Sequence, residues 1–528
     1  MNILGLHKSP WHNTGACIIQ TNELDTFQIS MISQERLDKK KDSRDFPELA
    51  VNACMKELNL NSYEEIDLIV MDHIINKDWK LDNKLGQEQK EGFLKDFPEE
   101  KIFVINHHLA HAYSVFYSTD FDEASILVVD GRGSSKETQS LYLGDKNGIK
   151  LIDKTEKTGI GLLYAAVTQK IGFKLLQEGK TMGLAPYGKN KNIFNFPKKY
   201  DGIVTDYSSV LIDGKYDFKN EYKVDTSSFS EKADAAHEIQ QECEQALLHL
   251  AKYTKDRLNT NNLCITGGVG LNSVSNYKIL QSKIFDDIFI NPACSDTGIP
   301  LGCALYGLHK INNKNKAYME ISPYLGPTYN NDEIEKAIHL YSGFDIIEDK
   351  EFKKTSELLF QNKIVAVHQG RSEMGPRALG NRSILMSPLV AENKDVLNKR
   401  VKFREEFRPF APACLFEHVS EYFEIDRESP YMLFVPNVKN DKKKIIPAVT
   451  HIDGTGRLQT LTQKRNKHFY KIVKSFYDKT NVPVLLNTSF NVAGQPIVES
   501  PNDAIETFLK TDIDALLLDK YLLIKTIK

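Results

Sequence analysis

Short apolar runs alternate with polar, glycine-bearing turns at the start of the chain. Residues 2–6, 16–20 and 26–33 each carry an apolar run of strand length bounded by Gly, Asn or Ser, which predicts three strands. The order returns further on. Residues 125–129 are wholly apolar but for Ser125, residues 130–136 read DGRGSSK, and residues 139–143 predict the strand coming back. Two copies of strand, polar glycine turn and strand predict a duplicated fold, in which the two turns face each other across a cleft and hold phosphates with backbone N–H groups. Between the copies, residues 47–60 and 107–117 follow helical periodicity, and residues 235–259 predict a longer helix.

The pattern changes near residues 310–325. There INNKNKAY, polar and Asn/Lys-rich, precedes ISPYLGP with its two prolines and glycine, which predicts a boundary between a domain 1–318 and a domain 319–528. The second part alternates helices at 331–341, 352–361, 464–479 and 501–510 with apolar strands at 364–368, 482–486 and 515–518. It is predicted to be a separate α/β unit.

Composition narrows the class. A chain of 528 residues exceeds the ~150 of a typical domain, so an enzyme-sized protein of several domains is expected. Lys and Arg number 68 against 71 Asp and Glu, a net charge of -3 that argues against a dedicated nucleic-acid binder. Seven cysteines stand singly without a CxxC pair, as expected of reduced, buried thiols rather than disulfides or a zinc ribbon. No apolar run reaches the ~20 residues that cross a bilayer, and the first residues lack a secretory core, so no membrane association and a cytoplasmic location are expected.

Three groups of residues carry candidate chemistry. In NHHLAHAY, His107 and His111 stand four apart on one helix face, with His108 pointing elsewhere; Asp130 ends a strand and Asp296 follows another. Two imidazoles and two carboxylates suit Fe(II), Mn(II) or Zn(II). Helix-surface histidines and turn-forming aspartates are the alternative. TGGVGLN (266–272) follows a strand and precedes a helix, which suits phosphate, although a plain structural turn fits as well; EGKTMGLAPYG (178–188) reads as an ordered loop. Arg371, Arg377, Arg382, Lys402, Arg404 and Arg408 lie among prolines and aromatics, with HIDGTGR and NTSFN further on. Such fixed guanidinium groups suit bidentate capture of phosphate or carboxylate, and interdomain salt bridges are the alternative.

Taken in order, HHxAH, VVDGRG, EGKxMGLAPYG, GGVxLN, DxGxxLG, GPRALGNRSI, KxRExFRPFAP, HxDGTGR and NTSFN resemble the O-carbamoyltransferase family nearly end to end. The resemblance implies an N-terminal domain of the actin-like ATPase superfamily followed by a YrdC-like domain. It implies carbamoyladenylate made from carbamoyl phosphate and ATP, with Mg2+, in the second domain, and transfer of the carbamoyl group to a hydroxyl in the first. Arg377, Lys402 and Arg408 would grip carbamoyl phosphate and the nucleotide phosphates, with Arg457, Asn487 and Ser489 helping to bind the adenylate. His107, His111, Asp130 and Asp296 would hold a metal, iron first among the choices, while Gly131, Gly268 and Asn272 line the adenylate pocket. The expected partner is a small hydroxylated acceptor, and a homo-oligomer is compatible with the sequence.

His12, in WHNTGA, matches a family histidine suited to act as general base. Asn13 and Thr14 follow it where the family usually has an Asp and small residues. Lys41 matches a catalytic lysine usually followed by His-Asp, a pair absent here. Three rival readings are a hydrogenase-maturation carbamoyltransferase, a nucleotide-binding sensor and a tRNA-modifying enzyme. The first lacks its paired CxxC fingers in this chain, the second has no use for the Arg/Lys set, and the third lacks a basic surface charge.

Overall fold

The computed structural model describes residues 1–528 except 22–26, 74–90, 198, 213–215, 220, 312–320 and 527–528. The boundary predicted between 318 and 319 lies outside the described residues. The chain divides into two compact units. One is Met1–Gln34 with Ser43–Ile321; the other is Glu35–Asp42 with Ser322–Lys528, so that the short helix α1 (Glu35–Asp38) belongs to the second unit.

Two five-stranded sheets form the first unit. One contains β1 (Asn2–His7), β2 (Gly15–Thr21), β3 (Phe27–Ser33), β4 (Leu68–His73) and β5 (Ile102–Asn106), in the order β3-β2-β1-β4-β5. The second contains β6 (Ala124–Val129), β7 (Gln139–Asp145) and β8 (Gly148–Thr155); after a small ribbon of β9 (Tyr200–Asp201) and β10 (Val204–Thr205), it gains β11 (Asn262–Thr266) and β12 (Asp287–Ile290), in the order β12-β11-β6-β7-β8. The two orders correspond strand for strand. In each, the second and third strands run antiparallel and the fourth and fifth join parallel to the first. The duplication anticipated from two strand–turn–strand copies therefore extends to whole sheets, the topology of an actin-like domain.

Helices close these sheets. α2 (Glu48–Glu57), α3 (His107–Phe116), α4 (Ile160–Lys170), α5 (Glu178–Leu184), α6 (Phe229–Leu258), α7 (Ser273–Ser282) and α8 (Ile299–Tyr306) account for the apolar runs that are buried from both sides, such as the fully buried β6. α8 packs on β1 and α3, and the approach is close: a Cβ on Gly302 would meet the Ala110 carbonyl oxygen at 1.9 Å. The segment EGKTMGLAPYG, expected as a loop, is instead α5 followed by a 3-10 turn. Its last glycine serves packing. A Cβ on Gly188 would meet the Ala233 carbonyl of α6 at 1.9 Å, while Met182 and Leu184 are buried.

The second unit is one mixed α/β sheet. Its helices are α9 (Asn331–His339), α10 (Lys353–Phe360), α11 (Asn393–Leu397), α12 (Val419–Tyr422), α13 (Lys467–Thr480) and α14 (Pro501–Lys510). Its strands are β13 (Phe344–Glu348), β14 (Val365–His368), β15 (Arg382–Met386), β16 (Ala411–Leu415), β17 (Gln459–Leu461), β18 (Val484–Ser489), β19 (Ala515–Leu518) and β20 (Tyr521–Lys525), ordered β13-β20-β19-β14-β15-β18-β16-β17. In α13, Phe469, Ile472, Val473 and Phe476 recur at helical spacing and are all buried, and Asn466 and Asn481 cap its two ends. All seven cysteines are buried thiols outside any disulfide. No described helix is long and apolar enough to cross a membrane.

Candidate functional site

The first unit gathers His107, His111, Asp130 and Asp296 into one buried cluster. α3 begins directly after β5, with Asn106 capping it through the Leu109 N–H, so His107 and His111 stack one turn apart. Asp130 follows the last residue of β6. Its Oδ1 accepts the Gly268 N–H at 2.8 Å, which leaves Oδ2 3.4 Å from His107 Nε2 and 4.0 Å from His111 Nε2. Asp296 opens the turn before α8, with Oδ1 3.6 Å from His107 Nε2 and 3.7 Å from His111 Nε2.

These separations exceed hydrogen-bond length, and neither Nε2 has a hydrogen-bond partner. They match the spacing, about 3–4 Å, between ligand atoms that share an ion at roughly 2.1 Å. The four side chains therefore fit a borderline divalent cation. Electrostatics agree. Burial disfavours charge on His107, yet Asp296, Asp130 and Asp72 around it carry its imidazole well above the ordinary value. Burial likewise opposes ionisation of Asp130, but His107 and His111 hold it down at about 2. Asp296 is drawn well below the usual carboxylate range against burial, by His107, His111 and His12.

His12 reaches the same place from the β1–β2 turn. Its Nδ1 lies 3.7 Å from Asp296 Oδ2, so the residue oriented beside it is Asp296 rather than the neighbour that Asn13 replaces. Asn13 itself sits at φ 62, a left-handed conformation that Asn tolerates. Gly131 faces open space where a Cβ would meet nothing within 4 Å, beside Asp130. Asn272 is committed to structure: its Oδ1 caps α7 at the Ser275 N–H and its Nδ2 donates to Gln240 Oε1 at 3.0 Å. His108 turns away to Ser140 Oγ at 2.8 Å. Lys41 belongs to the 35–42 segment of the second unit, where it pairs with Glu35 at 3.1 Å and Asp42 at 3.5 Å. Sequence reasoning missed His7 and Asp72. Their signal was a titratable residue at the end of, or inside, an otherwise apolar strand run, in ILGLH and LIVMDH.

In the second unit, Arg377, Arg404, Arg408 and Arg457 converge. Burial, then Arg377, Arg404 and Arg408, hold the Arg457 guanidinium well below its ordinary range. Burial and Arg408 bring Arg404 down to about 9, and burial lowers Arg408. Glu405, 3.8 Å from Arg408, is the carboxylate that acts on both. Guanidinium groups that act on one another in this way suit an anion among them.

The rest of the basic set divides differently. Lys402 spends its protons on the end of β18, donating to Ser489 O at 2.7 Å, Asn491 O at 2.8 Å and Asn491 Oδ1 at 2.7 Å. It anchors the NTSFN loop rather than reaching outward. Ser489 Oγ in turn donates to Asn491 Oδ1 at 2.7 Å. Asn487 Nδ2 donates to Ala378 O at 3.2 Å and to Gln459 Oε1 at 2.8 Å, tying down the loop that carries Arg377. Arg371 and Arg382 are structural, contrary to their expected place in the anion-binding set. Arg371 holds the Gly326 and Leu325 carbonyls, and the fully buried Arg382 donates to the Gln369 and Glu499 carbonyls.

Residues 75–305 match the family described as Carbamoyltransferase N-terminus, and residues 356–525 match Carbamoyltransferase C-terminus. Nodulation protein NolNO of Sinorhizobium fredii (strain NBRC 101917 / NGR234) is 32% identical over 99% of this chain and 80% of its own. Nodulation protein NolO of Bradyrhizobium diazoefficiens is 35% identical over 80% of this chain and 79% of its own. An uncharacterized protein of Synechocystis sp., sll1178, is 31% identical over 99% of this chain and 97% of its own. With both halves matched and relatives aligned over most of their length, the chain belongs to the carbamoyltransferase family.

Proposed function

We propose that the protein is an ATP-dependent O-carbamoyltransferase working in two steps. In the second unit, water releases carbamate and phosphate from carbamoyl phosphate. A carbamate oxygen then attacks the α-phosphorus of ATP, brought as its Mg2+ complex, and pyrophosphate leaves. The product is carbamoyladenylate, a mixed anhydride in which AMP has become a good leaving group. Arg377, Arg404, Arg408 and Arg457 bind the anionic groups and offset the charge that develops on them.

In the first unit, an acceptor hydroxyl attacks the carbamoyl carbon, AMP departs, and His12 takes the hydroxyl proton. His107, His111, Asp130 and Asp296 would hold Fe(II) or another divalent ion, which when bound polarises an oxygen as a Lewis acid. The acceptor class is a small-molecule or saccharide natural product bearing a free hydroxyl.

The observation that supports this reading is the group of buried arginines in which Arg377, Arg404 and Arg408 act on the Arg457 guanidinium and Arg408 and Arg377 on that of Arg404, a concentration of positive charge suited to a polyanion. The test is pyrophosphate release from the full chain. It should require both carbamoyl phosphate and ATP, and mass spectrometry with hydroxylated candidates should show a gain of one carbamoyl group. Pyrophosphate that never appears with both substrates and metal supplied overturns the proposal.

A further inference from the structure

Asp72 lies in β4, between β1 and β5, with a side chain wholly shielded from solvent. Each of its oxygens takes one imidazole. His7 Nδ1–H donates to Oδ1 at 2.8 Å and His107 Nδ1–H donates to Oδ2 at 2.8 Å. A carboxylate oxygen only accepts, so both rings carry a proton on Nδ1 and, when neutral, a lone pair on Nε2. Neither Nε2 has a hydrogen-bond partner, although both rings are almost completely buried.

Both Nε2 atoms face one carboxylate. His107 Nε2 is 3.6 Å from Asp296 Oδ1 and His7 Nε2 is 3.7 Å from Asp296 Oδ2. The four side chains thus close a ring, tight at Asp72 and open at Asp296. His111 and Asp130 complete a ligand set on the His107 side alone. His7, Asp72 and His107 also lie close enough together to suggest a second ion, yet their 2.8 Å contacts are hydrogen bonds that already occupy the nitrogen atoms concerned.

We propose that Asp72 is the positioning residue of a one-ion centre: it fixes the tautomer and tilt of His107, and His7 anchors Asp72 from the opposite side without being a ligand. A carboxylate behind a ligating imidazole aims the ring and raises its basicity. The inference rests on the metal reading of the His–Asp cluster.

The test uses Co(II) as the probe on the full chain, with metal per chain counted by elemental analysis, affinity by titration and the ligand field by visible absorption. Asp72→Asn keeps the size of Asp and one hydrogen-bond acceptor, whereas the bulkier Asp72→Leu keeps only the branched shape and no acceptor, so the two variants grade the loss of the acceptors and Asn does so without a change of packing. Wild type should bind one Co(II). Asp72→Leu should bind about 10- to 100-fold more weakly and with a shifted spectrum at saturation, and Asp72→Asn should fall between, roughly 3- to 10-fold weaker. Should the Leu variant fail to fold, the Asn variant decides alone. Two ions per wild-type chain, or variants that match wild type in affinity and spectrum, overturn the inference. Wild type that binds no Co(II) overturns the metal reading itself, a distinct result.

Discussion

Gly268 and Asp130 follow the C-terminal ends of two neighbouring parallel strands, β11 and β6, and the N–H of the first holds one carboxylate oxygen of the second at 2.8 Å. The bond divides the labour of the aspartate: Oδ1 is fixed to the glycine turn, and Oδ2 is left facing the two histidines. The turn depends on Gly267 at φ 91, where a Cβ would meet the Val129 carbonyl oxygen at 2.3 Å. Gly267→Ala should therefore cost about 1–3 kcal/mol of stability and displace the Gly268 N–H from Asp130. Thermal unfolding and metal content after dialysis should fall together.

Metal affinity should rise with pH. The carboxylates around His107 raise its pKa well above the ordinary value, so the ion-free ring holds a proton where an ion would bind, and that proton must leave first. Affinity measured by competition titration should increase by up to about tenfold per pH unit below the raised pKa and level off above it. The ion-free protein behaves oppositely. The stabilisation from the raised pKa of His107 is fully present below about pH 6.5 and disappears as pH rises through the raised value. An ion-free protein whose melting temperature climbs over that range would contradict the assignment.

The guanidinium cluster predicts stabilisation by anions. Carbamoyl phosphate or ATP at about 100 times its dissociation constant should add roughly 2.7 kcal/mol. At about 2–4 °C per kcal/mol for a unit of this size, the melting temperature should rise by several degrees. Arg457→Ala should abolish the rise while leaving the unliganded protein folded, because removing one of several mutually repelling cations relieves the pocket. Arg382→Ala should do the reverse. That side chain is fully buried against Glu499 and four backbone carbonyls, and its loss should cost about 3–5 kcal/mol whether or not anion is present.

Arg382 and Arg457 also show how far the sequence could be read. Periodicity located most of the elements named from it, including the strand–turn–strand repeats that became two equivalent sheets, because buried strands and amphipathic helices leave direct apolar signatures. It left β4, β5, β13 and β20 unnamed, and it missed β15 and β16, where GNRSI and FRPFAP surround the apolar run with Arg, Asn and Pro. Local composition cannot distinguish an arginine that satisfies buried carbonyls from one that faces a pocket. The difference lies in carbonyls contributed by residues up to 117 positions away. The four-residue His–Asp cluster was legible through the i, i+4 histidines and the strand-end aspartates, whereas His7 and Asp72 acquire meaning only once β1 and β4 lie side by side.

The two proposed half-reactions should separate by mutation. Arg408→Ala removes a cation from the guanidinium cluster and, on the proposed reaction, should abolish pyrophosphate release, and with it everything downstream. His12 sits instead beside Asp296 in the other unit, 3.7 Å from its carboxylate. His12→Asn keeps a polar side chain there but removes the base, so pyrophosphate release should continue while carbamoylation of the acceptor falls by about 10²- to 10⁴-fold. Pyrophosphate and carbamoylated product, followed in the same reaction, distinguish the outcomes. If His12→Asn also stops pyrophosphate release, His12 acts before the transfer step and the division of chemistry between the two units is wrong.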